Sequence, residues 1–207
     1  MTLFATLRHG PTAWNAEKRL QGRADIPLDP GAEASLRALR LPPIVAGWPV
    51  LTSPLSRCRQ TAAALGLEAT VEPALVEMDW GDYEGRRLAD LRQDAGGAFA
   101  AAEARGLDFQ PPGGESPRQV LARLAPLLAR IAAAGQPRVA ITHRGVIRVL
   151  HAVARGWDMV GKPPEKLAVH GTLQIFRLAP DGSPAIMALD VALVGRDCDE
   201  RQPPDPI

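Results

Sequence analysis

The chain has 207 residues, 46% hydrophobic and 23% charged, which fits one sizeable soluble α/β domain. Its 24 Lys and Arg against 23 Asp and Glu leave a formal charge of +1, so no bulk field recruits nucleic acid or an anionic membrane, and a 4% aromatic fraction offers few platforms for stacking bases. Cys58 and Cys198 stand far apart, outside any Cys-x-x-Cys or Cys/His spacing, which speaks against a metal or redox centre and suits a reducing cytoplasm.

Met1–Leu7 is apolar but lacks a basic leader and runs straight into Arg8 and His9, so neither a signal peptide nor a membrane span is expected there, and the protein is expected in the cytoplasm. Thr2–Leu7 is short, has β-branched and aromatic residues and shows no polar alternation; it reads as a strand buried on both faces of a parallel sheet, with Arg8 at its C-terminal edge. Trp48–Thr52 reads as a second strand, followed by Ser53 as N-cap, Pro54 as first helical residue and Gly66 as helix stop. Residues 86–114 are alanine-rich and irregular, and are expected to form a helical insertion capping the sheet, where such segments shape substrate pockets.

Ser116 and Pro117 open a helix whose Val120, Leu121, Leu124, Leu127, Leu128 and Ile131 share one core face until Gly135 stops it. Arg123 and Arg130 interrupt its apolar run and exclude a membrane helix. Arg138–Thr142 reads as another buried strand, His143 follows, and a helix runs from about Gly145 to Arg155. Thr172–Leu178 and Ala185–Val194 read as strands joined across Asp181-Gly182, which predicts an antiparallel edge. Pro203, Pro204 and Pro206 make 196–207 a loose tail on a single domain over 1–195. The predicted fold is a three-layer α/β/α sandwich with a mostly parallel central sheet, an antiparallel edge strand and a small helical cap.

In open α/β sheets ligands collect beyond the carboxyl ends of the strands, where helix N-termini also turn free N–H groups toward anions. Three stretches converge on that edge. Leu7-Arg8-His9-Gly10 sets a histidine beside an arginine and before a glycine that lets the backbone turn. Ser53-Pro54-Leu55-Ser56-Arg57 places an arginine early in a helix, and Thr142-His143-Arg144-Gly145 adds a second histidine and a further guanidinium. Guanidinium forks and imidazole donors match the oxygens of a dianionic phosphoryl group. Singly, His9 and His143 read as satisfied loop histidines and Arg57 as a solvated helix residue; their joint placement argues for a phosphate site. His151, inside a helix, and His170, before a strand, lack such neighbours and read as structural. Thr12, Asn15, Gln21 and Gly22 read as capping and turn residues, and Glu77, Asp79, Asp82 and Glu84 as loop carboxylates among which composition does not choose.

Taken in order, Leu7-Arg8-His9-Gly10, Gln21-Gly22-Arg23 with Asp25-Ile26-Pro27-Leu28, Ser53-Pro54-Leu55 with Arg57 and Thr61-Ala62, Gly113-Gly114-Glu115-Ser116, and Thr142-His143 carry a family resemblance. The chain resembles the histidine phosphatase superfamily, in the branch of cofactor-dependent phosphoglycerate mutases and alpha-ribazole phosphatases, from residue 3 to about residue 178. The resemblance implies that His9 is the nucleophile, attacking phosphorus through a neutral Nε2 to give a phosphohistidine that water cleaves. It implies that Arg8, Arg57 and His143 bind the phosphoryl oxygens, that Glu77 protonates the leaving alkoxide and then activates water, and that Thr12, Asn15, Gln21 and Gly22 line the phosphate pocket. No metal ion and no cofactor are expected, and the expected partner is a small phosphorylated metabolite rather than nucleic acid or membrane; a homodimer stays open. The short chain and the Glu77–Gly81 loop resemble the phosphatases, so phosphomonoester hydrolysis is the expected activity, with mutase-type phosphoryl transfer and a non-catalytic phosphate-ester-binding module as alternatives. Arg144 departs from the family pattern, in which a small residue, usually glycine, follows the second histidine. It is read as a rim residue selecting substrates with a second anionic group, against a plain solvated arginine.

Overall fold

The computed structural model describes residues 1–94, 97–165, 167 and 169–196. Strand β1 (Thr2–Arg8) leads into the one-turn helix α1 (Ala13–Ala16), then α2 (Pro30–Arg37), the two-residue β2 (Leu39–Arg40), β3 (Val50–Thr52), α3 (Ser56–Ala64) and β4 (Ala69–Val71). A loop region follows, then α4 (Leu88–Asp94), α5 (Ala98–Glu103), the long α6 (Pro117–Ala134), β5 (Arg138–Thr142) and α7 (Arg144–Arg155). The described chain ends in β6 (Thr172–Leu178), β7 (Pro184–Ala192) and β8 (Val194–Gly195). Six strands form the central sheet in the order β4-β3-β5-β1-β6-β7. The first four are parallel, while β6 is antiparallel to both β1 and β7, so β6 alone of the six runs against the rest and the antiparallel pairings lie at the β6–β7 edge, as expected.

Two hydrophobic cores, one on each face of the sheet, explain why the strand sequences show no polar alternation. Phe4, Ala140 and Phe176 pack on one face with Val120 and Leu124 of α6 and Val146 of α7. Ala5, Leu7, Ile141 and Ile175 pack on the other with Leu36 of α2 and Ala62 of α3. Side chains alternate between faces along a strand, so a strand covered on both sides is apolar at nearly every position. Each large apolar side chain so buried contributes on the order of 1.5–3 kcal/mol relative to exposure. Among the described residues of 86–114 lie α4, α5 and a 3-10 turn at Gly106–Asp108, and Leu91, Phe99 and Phe109 anchor them to the α6 side of the core.

The ends of α6 follow the sequence signals: Ser116 and Gln119 form a reciprocal capping box, Pro117 occupies the first turn, and Gly135 at φ 67° closes the helix. Elsewhere the boundaries differ from expectation. Helix α3 starts at Ser56, with Leu55 as an N-cap that makes no side-chain bond, not at Pro54. Ser53 stays outside: its Oγ accepts from Leu55 N at 3.3 Å, before the helix, and lies 2.7 Å from His143 Nε2, a tertiary partner that a local reading does not include. Helix α7 starts at Arg144, directly after His143. The expected Ala185–Val194 strand breaks at Leu193, and β8 pairs with β2 apart from the main sheet. Arg196, placed in the expected tail, is instead tied down, its backbone N–H donating to Ala38 O and its guanidinium to the carbonyls of Leu39 and Leu65. Residues 197–207, with Cys198 and the tail prolines, lie outside the described residues. Among the described residues no helix is long and apolar enough to cross a membrane.

Candidate active site

Strands β1, β3 and β5 end side by side, and the loops leaving them are held in step: His9 N donates to Thr142 O at 2.9 Å and Ser53 N to Ile141 O at 3.0 Å. Arg8, His9, Arg57 and His143 therefore reach one edge of the sheet. His9 is 3% exposed, and its Nδ1 lies 2.7 Å from Gly10 O. A carbonyl only accepts, so Nδ1 carries the proton and Nε2 the lone pair. Burial first, then the like charges of Arg57 and Arg8, hold the pKa of His9 well below the ordinary imidazole value. Gly10 N donates to Thr61 Oγ1 at 3.0 Å, and that hydroxyl donates to Arg57 O at 2.7 Å, which joins the His9 loop to α3.

Arg57 is fully buried. Its terminal nitrogens donate to Ala24 O at 2.7 Å and Gly22 O at 2.8 Å, and its Nε to His143 Nδ1 at 3.3 Å. Of the five N–H groups of a guanidinium, one on each terminal nitrogen is left over. With Nδ1 accepting from Arg57, His143 donates from Nε2 to Ser53 Oγ at 2.7 Å, and its ring centre lies 5.3 Å from that of His9. His143 thus braces Arg57 in this conformation, and burial keeps its pKa well below the ordinary value. The carbonyls that receive Arg57 are held by Glu84, whose carboxylate accepts from Arg23 N at 2.6 Å and Ala24 N at 3.0 Å. Gly22 has φ +52°, and a Cβ there would lie 1.8 Å from Glu84 Oε1, so the loop requires glycine. Cys58, beside His143, is fully buried, which pushes its thiol pKa up and leaves it unreactive.

Among the four loop acids Glu77 alone is buried, at 8% exposure. Its carboxylate accepts from Met78 N at 2.9 Å and from Gly145 N, in the first turn of α7, at 3.2 Å. Its negative charge bears on both Arg8 and Arg57. The approach to it is held by Arg123, which donates to Ala74 O, to Val76 O at 2.7 Å and to Glu115 at 2.8 Å. Asp79 caps Gly81 N at 2.8 Å and faces Arg23 at 3.4 Å, Glu84 holds the 22–24 loop, and Asp82 is exposed.

Thr12 and Asn15 bond to one another: Asn15 Oδ1 accepts from Thr12 N at 3.0 Å and Thr12 Oγ1 from Asn15 N at 3.3 Å, capping α1. Gln21 is 9% exposed, with a buried Oε1 that has no hydrogen-bond partner. Arg8 is largely buried, and desolvation with the like charge of Arg144 pulls its pKa down to about 10. Arg144 is exposed at the start of α7. His151 is buried in α7 against Glu165, at 2.8 Å.

His170, read from sequence as structural, lies against His9. Its Nδ1 donates to His9 O at 2.9 Å, and its ring centre lies 6.1 Å from that of His9. The reason is the direction of β6: running antiparallel, with Leu173 opposite Leu7, it brings the residues before its start to the edge where β1 ends. The predicted antiparallel edge held that signal. Among the described residues no group of three or more His, Cys, Asp or Glu is gathered as a metal ion would require.

Residues 4–185 match the histidine phosphatase superfamily, branch 1, and the chain belongs to it. Among its relatives, phosphoglycerate mutase-like protein 4 of Arabidopsis thaliana is 33% identical over 187 residues, covering 84% of this chain and 79% of that one. The 2,3-bisphosphoglycerate-dependent phosphoglycerate mutase of Methylobacterium radiotolerans is 32% identical over 86% of this chain and 91% of its own. With the probable phosphoglycerate mutase GpmB of Cronobacter sakazakii, the 32% match spans 57% of each chain. Among solved structures, a mycobacterial glucosyl-3-phosphoglycerate phosphatase in complex with VO3 superimposes with a TM-score of 0.72 at 26% identity, covering 92% of this chain and 98% of that one.

Proposed function

We propose that this chain is a phosphomonoesterase that works through a phosphohistidine on His9, acts on a small phosphorylated metabolite, and draws the positive charge it needs from Arg8 and Arg57 rather than from a metal ion. The observation that carries this reading is the buried, neutral His9 ring with Nδ1 pinned to Gly10 O at 2.7 Å, which leaves the Nε2 lone pair for attack. In the first half-reaction an Nε2–P bond forms as the P–O bond to the leaving alkoxide breaks, and Glu77 gives that alkoxide its proton. In the second, water loses a proton to Glu77 and attacks phosphorus, the N–P bond breaks, and inorganic phosphate leaves. Arg8 and the two spare N–H groups of Arg57 hold the phosphoryl oxygens through both steps. His143 keeps Arg57 in place, and the Nε2–H it now gives Ser53 is the donor it can turn to the same oxygens. Gln21 and Gly22 form the loop that receives Arg57, while Thr12 and Asn15 cap the turn after His9.

The mycobacterial relative is named a phosphatase and was solved with VO3, an oxyanion resembling a phosphoryl group, which supports hydrolysis. Mutase-type transfer is the second reading, favoured by the names of the Arabidopsis and Methylobacterium relatives. The two share a first half-reaction and differ in whether water or a second hydroxyl takes the phosphoryl group. Following 2- and 3-phosphoglycerate for both isomer interconversion and phosphate release separates them. Release of phosphate without interconversion is expected. Interconversion without release would make the chain a mutase, and tight ester binding with neither would make it a binding module.

A further inference from the structure

We infer that Arg144 and Arg148 form a second anion-binding position at the mouth of this site, so that the preferred substrate is a phosphomonoester bearing a further anionic group; the inference rests on the phosphatase reading above. The two arginines stand four residues apart on α7 and therefore on one face of it. Helix α7 begins directly after His143, so Arg144 stands in its first turn at the sheet edge holding His9 and His143, with Arg148 one turn further along.

Neither guanidinium has a counter-ion: among the described residues no carboxylate forms an ion pair with Arg144 or Arg148. Glu103, close enough to bear on Arg148, is taken by Arg92 at 2.8 Å, and Glu77 is taken by the backbone N–H groups of Met78 and Gly145. Arg148 instead lies with its Cζ 5.3 Å from the ring centre of Trp157, and its buried Nε has no hydrogen-bond partner. The charge of Arg144 bears on Arg8, on Arg148 and on His170, so the four side chains lie within electrostatic reach of one another. Arg8 and Arg57 already match one phosphoryl group. Two further guanidiniums that repel one another without a carboxylate between them are stabilised by an anion from outside. At 5.3 Å from an aromatic face, Arg148 is held for planar recognition of such a group.

The test uses three esters on one three-carbon frame: glycerol 1-phosphate, 3-phosphoglycerate and glycerol 1,3-bisphosphate, whose distal group is a hydroxymethyl, a carboxylate and a phosphate. Phosphate release is measured for the wild-type chain, Arg144→Gln, Arg148→Met and Arg144→Glu. The wild type is expected to prefer the doubly anionic esters, and each neutralising substitution to cut that kcat/KM ratio about tenfold, chiefly through KM, as befits one lost charge-assisted hydrogen bond. Arg144→Glu is expected to reverse the preference, and the better of the two doubly anionic esters identifies the second group. Arg144 is exposed, so its two variants carry the test if Arg148→Met does not fold. Hydrolysis with the same ratio in the wild type and all variants overturns the inference and leaves the phosphatase reading standing. No phosphate release from any ester by the wild type overturns both.

Discussion

Glu77 is one of four acids within eight residues, and burial separates it from Asp79, Asp82 and Glu84, each of which is partly or fully exposed. Glu77→Gln keeps the side chain's volume but removes its ability to give and take a proton. It is expected to lower kcat by about 10² to 10⁴ while calorimetric binding of inorganic phosphate stays near the wild-type value. Equal loss of both would make Glu77 a structural residue. Residue by residue, His9, Arg8, Arg57 and His143 were legible because each lies at a strand-to-helix junction marked by glycine, proline or serine in the sequence. The choice of Glu77 came only through family resemblance, since its burial depends on Met78 and on α7, which is 67 residues further along the chain from the loop's first acid to the first residue of the helix. The place of His170 beside His9 was not legible because it depends on strand direction rather than on anything beside it in sequence.

Helix α7 and the Glu77 loop meet at Gly145, where an added Cβ would lie 2.3 Å from Glu77 Oε1 and 3.3 Å from Met78 Cβ. The atom that can yield is the tip of the carboxylate. Gly145→Ala is therefore expected to displace Glu77 and reduce kcat by about tenfold or more, with little change in Tm because alanine favours the helix. A fall in Tm with kcat intact would mean that the backbone moves instead. Elements with self-contained signals, such as α6 between Ser116 and Gly135, were legible in full. The start of α3 was not, because Ser53 Oγ accepts from His143 Nε2 and from Leu55 N, so it caps no N–H inside the helix. Helix α2 went unread although Asp29 caps it and Pro30 opens it, and β2, β4 and β8, of two or three residues each, are too short to show a period.

All four histidines are held below the ordinary imidazole value, burial being the first cause for each, with His170 at about 4. An unfolded chain takes up those protons near pH 6.5, whereas the folded chain does so only at lower pH, so unfolding binds protons in between. Stability contributed by these groups is full above about pH 6.5 and is lost as pH falls. For the buried pair His9 and His143 the loss approaches about 1.4 kcal/mol per pH unit each. Urea unfolding at about pH 7.5 and 5.5 is expected to show the midpoint falling in acid, and an unchanged midpoint would contradict neutral burial of the pair. The most direct test of the proposed chemistry is turnover of a radiolabelled phosphate ester in excess EDTA, with rapid alkaline denaturation to trap labelled protein, comparing the wild type with His9→Ala. Undiminished turnover in EDTA is expected, with label that survives alkali, is lost in acid and is absent from His9→Ala. Sustained turnover by His9→Ala, or turnover by the wild type that never yields labelled protein, would contradict a phosphohistidine on His9.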